Sequence, residues 1–158
     1  MKVDLTGKWS GRYTYNLPPA KEDTSHPGFG EFAMDLRPFW FGFFRGTYRD
    51  LECGREFEEG AVSGFLRHHF IRLKKRPPVF YAYSNREYVP LLDQLEKTFG
   101  KRPQEWPPPP IEYQGCYGPE SNLFRGQWRI RSWIAPIPTG GIYRFPEVSG
   151  DWEMERVE

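Results

Sequence analysis

The sequence contains no apolar run close to the roughly 20 residues that a membrane-crossing helix requires, so no spanning helix is expected. Cysteine is scarce: only Cys53 and Cys116 are present. The opening residues Met1-Lys2-Val3-Asp4-Leu5 lack the apolar stretch of a secretory leader, so a cytoplasmic location with both thiols reduced is expected. Net charge is nearly nil, with 22 Lys and Arg against 21 Asp and Glu, and leaves no global field to gather a polyanion. Histidine is also scarce. His68-His69 is the one adjacent pair, and strand neighbours point to opposite faces, so the two cannot grip one metal. Neither a metal nor a cofactor is expected. The chain has no Walker loop, no Gly-x-Ser-x-Gly elbow, no His-Glu-x-x-His and no Cys-x-x-Cys. Gly28-Phe-Gly30-Glu-Phe-Ala33 spells a dinucleotide fingerprint, but it leads into an alternating strand instead of a helix, so the helix N-terminus that would bind phosphate is missing.

What is abundant is aromatic, 18% of the chain, together with 16 glycines and 16 prolines. Aromatic segments broken by glycine and proline point to an all-β sandwich or barrel. At 158 residues the chain is expected to form a single domain, 1–158, burying roughly 70% of its unfolded surface. Nearly every segment alternates with period two, the mark of a half-buried strand. Thr6–Tyr15 places Trp9, Gly11, Tyr13 and Tyr15 on one face, and Phe29–Arg37 does the same with Phe32, Met34 and Leu36 before Pro38 ends it. Trp40–Asp50 aligns Trp40, Gly42, Phe44, Gly46 and Tyr48, with aromatics on its other face too, so its start is expected to be covered on both sides. A charged turn over 52–60 precedes strands at 61–66, 69–75 and 79–83, and strands resume at 111–117, 124–134 and 151–157. One segment reads as helix, Pro90–Phe99: proline suits its first turn, Leu91, Leu92, Leu95 and Phe99 fall near one face, and Gly100 suits the C-terminal cap. Lys101–Pro110, with five prolines in ten residues, reads as a polyproline spacer.

Glycine recurs two residues before a large aromatic, as in Gly7-Lys-Trp9, Gly42-Phe-Phe44, Gly46-Thr-Tyr48, Gly126-Gln-Trp128 and Gly150-Asp-Trp152. Small beside large on one face fills a tapering barrel, and glycine lets a strand coil enough to close it. Leu5-Thr6-Gly7-Lys8-Trp9 in the first strand, with an arginine in the last, resembles the calycin pattern of lipocalins, fatty-acid-binding proteins and avidins. That resemblance implies an antiparallel up-and-down barrel of eight to ten strands, closed at one end by Trp9 beneath Arg156. Arg156 shares parity with Trp152 and Met154, so it is expected to point inward and stack on the indole. Phe44-Arg-Gly-Thr-Tyr48, Tyr113-Gln-Gly-Cys116 and Gly150–Val157 are similar to avidin segments in the same order. Tyr48 matches a tyrosine that contacts biotin there, but Gly11, Tyr15 and Asp50 replace the polar residues of that pocket, so biotin is not expected. The opening also resembles nitrobindin-like haem barrels, whose C-terminal proximal histidine has no counterpart here.

The resemblance and the alternation together point to non-enzymatic binding of a small, apolar or aromatic ligand inside the barrel. Candidate lining residues are Tyr13, Tyr15, Tyr48, Tyr113 and Trp128, with Asp50 at the mouth and His69 inward beside Ile71 and Leu73. Apolar walls with a few hydroxyls are what orient such a guest. Two alternatives stand beside this: a lipocalin-like isomerase or cyclase using Tyr48, Asp50 or His69, and a filled interaction barrel whose Pro107–Pro110 run docks a partner. Arg67–Arg76 is basic at seven of ten positions, and Arg125, Arg129 and Arg131 line another polar face. These read as a solvated outer surface, so nucleic acid is not expected as a partner; with no spanning run, neither is a membrane.

Overall fold

The computed structural model describes residues 2–16, 28–84, 87–103, 108–137 and 139–157. The alternating segments become β1 (Gly7–Thr14), β2 (Phe29–Trp40), β3 (Phe43–Glu52), a two-residue β4 (Arg55–Glu56), β5 (Gly60–Arg67), β6 (Phe70–Arg76), β7 (Tyr81–Ser84) and β8 (Glu87–Pro90). Helix α1 (Leu91–Phe99) follows, then β9 (Ile111–Gly118), β10 (Leu123–Ile130), β11 (Trp133–Pro136), β12 (Ile142–Phe145) and β13 (Val148–Arg156).

Eight strands form one closed antiparallel sheet in the order β2-β1-β13-β10-β9-β6-β5-β3, and β3 returns to β2. Each strand pairs with the next barrel strand in the chain, so the topology is up-and-down, as the alternation implies. β1 and β13 form the seam, with Trp9 opposite Arg156 and Tyr13 opposite Trp152. Everything outside the barrel leaves from one end, the mouth: the β7–β8 hairpin with α1 between β6 and β9, and the β11–β12 hairpin between β10 and β13. At the opposite end the connections after β2, β5 and β9 are short turns.

Inward positions pack solidly over the closed half. Leu5, Trp9, Met34, Leu36, Phe44, Ile71, Phe124 and Met154 are all buried in one cluster. Leu5 and Trp9 stop the closed end: the indole donates to the Leu5 carbonyl at 2.9 Å and meets Phe124 edge-on at 5.6 Å between centroids. The Gly-x-aromatic spacing has a physical cause. A Cβ on Gly46 would sit 1.9 Å from the Asp35 carbonyl oxygen, and one on Gly126 1.8 Å from that of Gln114. Neighbouring strands approach too closely there for any side chain, which is how the sheet coils tightly enough to close.

Four expectations need correction. Pro38 does not end β2; the strand runs on to Trp40, because a proline late in an edge-facing stretch costs no essential ladder bond, and the chain reverses at Phe41-Gly42. The start of the Trp40–Asp50 segment is therefore uncovered: Phe39, Trp40, Phe41 and Phe43 are exposed. Arg156 does sit opposite Trp9, yet its side chain is half exposed. It donates to the Thr6 carbonyl at 2.6 Å instead of entering the barrel, since solvent is within reach at the end of the last strand. His69 belongs to the two-residue turn between β5 and β6, half-buried against Tyr117, and is not an inward strand position.

The helix begins one residue later than expected, with Pro90 as its N-cap and Gly100 left-handed at φ 77° as its C-cap. Among the described residues no helix is long and apolar enough to cross a membrane.

Candidate functional site

The last inward residues of β1, β3, β6 and β9 before the mouth are unusually polar for a barrel core. On β3, Tyr48, Asp50 and Glu52 share one parity, and Glu52 is buried. On β6 the inward series Ile71, Leu73 continues to Lys75, which is fully buried. Lys75 donates from Nζ to Asp50 Oδ1 at 2.6 Å. Its ammonium also lies among four rings: 4.3 Å from the centroid of Phe32, 4.7 Å from Tyr48, 4.8 Å from Tyr113 and 5.4 Å from Tyr13. A buried cation needs both a counter-charge and polarisable surroundings, and this one has both. Burial pulls the Lys75 pKa below its ordinary value against the attraction of Asp50. Burial likewise pushes the Asp50 carboxyl up, opposed by Lys75.

Glu52 gathers hydroxyls. Its Oε1 accepts from Tyr13 and, at 2.5 Å, from Tyr15, and its Oε2 accepts from Tyr88 on β8. Tyr88 thereby ties the β7–β8 hairpin to the barrel rim. Burial raises the pKa of Tyr13, Tyr15, Tyr48, Tyr88 and Tyr113 well above the ordinary tyrosine value. Negative charge adds to the rise, from Asp50 at Tyr13, Tyr48 and Tyr113 and from Glu52 at Tyr15 and Tyr88. At neutral pH these phenols keep their protons, and Tyr13, Tyr15 and Tyr88 donate theirs to Glu52.

Above this floor lies a cavity of about 420 Å³. Its apolar walls come from Phe57, Val79, Phe80, Ile111, Trp128 and Ile130, and its polar floor from Tyr48, Asp50 and Glu52. Tyr48 is 3% exposed, and among the described residues its hydroxyl is the one buried side-chain polar atom with no hydrogen-bond partner. Trp128 is fixed by its indole N–H on the Thr14 carbonyl at 2.9 Å and by Tyr15 edge-on at 5.1 Å.

Six of the residues singled out from the sequence thus meet at this cavity: Tyr13, Tyr15, Tyr48, Asp50, Tyr113 and Trp128. His69 does not join them. It sits in a closed-end turn, whereas Asp50 lies two residues from the mouth end of β3, so no His–Asp pair forms. Sequence reasoning missed Lys75, Glu52 and Tyr88. Parity carried the first two, since Lys75 continues Ile71-x-Leu73 and Glu52 continues Tyr48-x-Asp50; nothing local could have announced Tyr88. Pro107 lies outside the described residues. Pro108–Pro110 line a separate cleft of about 640 Å³ with α1 and Trp133. Among the described residues no group of His, Cys, Asp or Glu is placed to hold a metal, and Cys53 and Cys116 are free and exposed. No protein-family model matches the chain, and neither a curated protein nor a solved structure matches it.

Proposed function

We propose that the protein is a non-enzymatic, calycin-like carrier or sensor that binds one small, flat, largely apolar molecule in the cavity at the barrel mouth. The observation that carries this reading is a cavity of about 420 Å³ whose lining includes Asp50, Glu52 and Tyr48, the last with a buried hydroxyl that has no partner. The volume falls in the range of small-molecule sites. Leaving a buried hydroxyl unsatisfied costs about 1–3 kcal/mol, a cost that a guest would remove. Tyr48 offers a donor, and Asp50, bonded to Lys75 through one oxygen, offers an acceptor beside it. The polar end of the guest therefore presents an acceptor and a donor close together, as a hydroxyl or a ring amide does.

The test is a thermal-shift screen against flavins, tetrapyrroles, small apolar acids and biotin, followed by calorimetry of any hit. A ligand at about 100 times its dissociation constant stabilises the fold by roughly 2.7 kcal/mol. Tyr48→Phe is expected to raise the stability of the unliganded protein by about 1–3 kcal/mol while weakening the hit. A hit bound equally well by Tyr48→Phe and Asp50→Asn, or a screen without hits on a protein whose crystal structure shows the mouth filled by its own side chains, refutes the reading.

A further inference from the structure

The closed end of the barrel carries a feature that the cavity does not explain. β2 and β3 join through a two-residue turn, Phe41-Gly42, with both residues at positive φ, 40° and 85°. That is the turn geometry for which Asn-Gly or Asp-Gly is preferred. A bulky non-glycine residue in the left-handed region is strained. Packing does not compensate for it, because Phe41 is 85% exposed. Its neighbours repeat the pattern: Trp40 is 65% exposed, Phe39 58% and Phe43 46%. The rings form two groups, Trp40 against Phe41 at 4.8 Å at the tip, and Phe39 against Phe43 at 6.3 Å beside it, reaching Phe65 and Phe70 on the next two strands. The tip is held firm from behind, where Leu66 N–H donates to the Gly42 carbonyl at 2.8 Å. An exposed aromatic turn that costs the fold energy is built to enter something.

Charge says what. Directly below the rings, Arg37 and Arg45 face each other across β2 and β3. Like charges in register destabilise a sheet, and neither arginine has a carboxylate partner among the described residues. Between Arg37 and Arg49 the sequence contains no Asp or Glu. Arg67 flanks the adjacent turn beside Phe70. Phe41 and Arg45 are four residues apart along the chain, about 13 Å of strand at most. An interfacial element buries its apolar face about 5–10 Å into the headgroup and acyl boundary, so the rings reach that boundary while the arginines remain at headgroup level. We infer that the β2–β3 tip docks the protein peripherally on an anionic lipid bilayer, with Trp40 and Phe41 inserted and Arg37, Arg45 and Arg67 on the headgroups. This reverses the expectation that the chain has no membrane partner, an expectation that rested on the absence of a spanning segment. It is independent of the mouth cavity, which opens at the other end.

Sedimentation of the full chain with vesicles tests this, comparing pure phosphatidylcholine with vesicles containing about 30% phosphatidylserine. The protein is expected to pellet with the anionic vesicles and to release as salt rises. Arg37→Gln and Arg45→Gln should each weaken binding about five-fold. Trp40→Ser and Phe41→Asn should each weaken it by roughly ten-fold or more. Phe41→Asn also relieves the turn, so its melting temperature should hold or rise, separating lost binding from lost fold. Brominated acyl chains should quench wild-type tryptophan fluorescence, and that quenching should vanish in Trp40→Ser. No binding by the wild type, or undiminished binding by Phe41→Asn, overturns the inference. So does a vesicle-independent dimer that Phe41→Asn converts to monomer, which would make the turn a contact between two copies.

Discussion

Removing Asp50 should cost the fold more than removing Lys75, and the difference should depend on pH. At 2.6 Å, an effective dielectric of about 20 gives the pair roughly 6 kcal/mol of attraction, against several kcal/mol of lost hydration for each ion. The partners are not equally stranded when separated. Lys75→Met leaves Asp50 with 18% of its side chain exposed, able to take water or a proton at the mouth. Asp50→Asn leaves an ammonium with no exposure, a neutral amide where its counter-charge stood, and only the more distant attraction of Glu52 to offset its burial. Breaking a buried pair typically costs about 3–5 kcal/mol; Asp50→Asn should fall at the top of that range and Lys75→Met at or below its foot. The double variant should lose about 2–3 kcal/mol less than the sum of the two. The sign of the pH dependence follows from Lys75. Its folded pKa lies below the ordinary 10.5, so the unfolded chain binds more protons across that window and stability rises with pH through it. Asp50→Asn removes the charge that held the ammonium protonated and widens the window downward. Urea unfolding from about pH 7 to pH 10 should show its deficit shrinking, while the deficit of Lys75→Met should not shrink. Equal and pH-independent losses for the two singles would refute this account of the cage.

Two further outcomes test the barrel itself. Trp9→Ala, with Phe124 and Leu5 around the lost indole, should cost about 3–5 kcal/mol in chemical unfolding, whereas Arg156→Ala, half exposed, should cost no more than about 1 kcal/mol; comparable losses would restore Arg156 as a buried plug. Gly46→Ala should unfold the protein or lower its melting temperature by many degrees, because the added carbon meets backbone and not a movable side chain, and a mild effect would mean that the strands can separate there.

The barrel was legible because its evidence is periodic and repeated. Thr6–Tyr15 and Phe29–Arg37 announce inward faces that the register confirms, and the helix and its glycine cap were marked by chemistry specific to those positions. The floor of the cavity was half legible, since Tyr48, Asp50, Tyr13 and Tyr113 follow from parity. Lys75 follows from parity as well, but a lysine within a basic run invites a solvated reading, and the half-buried Asp50 carboxylate and the surrounding rings are what make the inward position tolerable. Tyr88 reaches Glu52 across 36 residues of chain, through an excursion whose packing no local pattern encodes. The β2–β3 turn was hidden for a different reason. Phe41-Gly42 is the wrong chemistry for its turn, and a site that breaks a local rule looks from the sequence like uninterrupted strand.

The seam between β1 and β13 governs how anything reaches the interior. The other barrel ladders join barrel strands that follow one another along the chain, whereas the seam brings together segments some 140 residues apart, Arg12 with Glu153 among them. Closing so long a loop carries an entropic cost that no shorter ladder bears, so the seam would be the natural place to part. Yet Trp9, Tyr13, Trp152 and Met154, all core, lie on those two strands. Parting them would expose the centre of the molecule, which makes opening there nearly equivalent to unfolding. A guest of the kind proposed would therefore not enter through the wall; it would pass the rim, where the β7–β8 hairpin is tied down by the Tyr88–Glu52 contact.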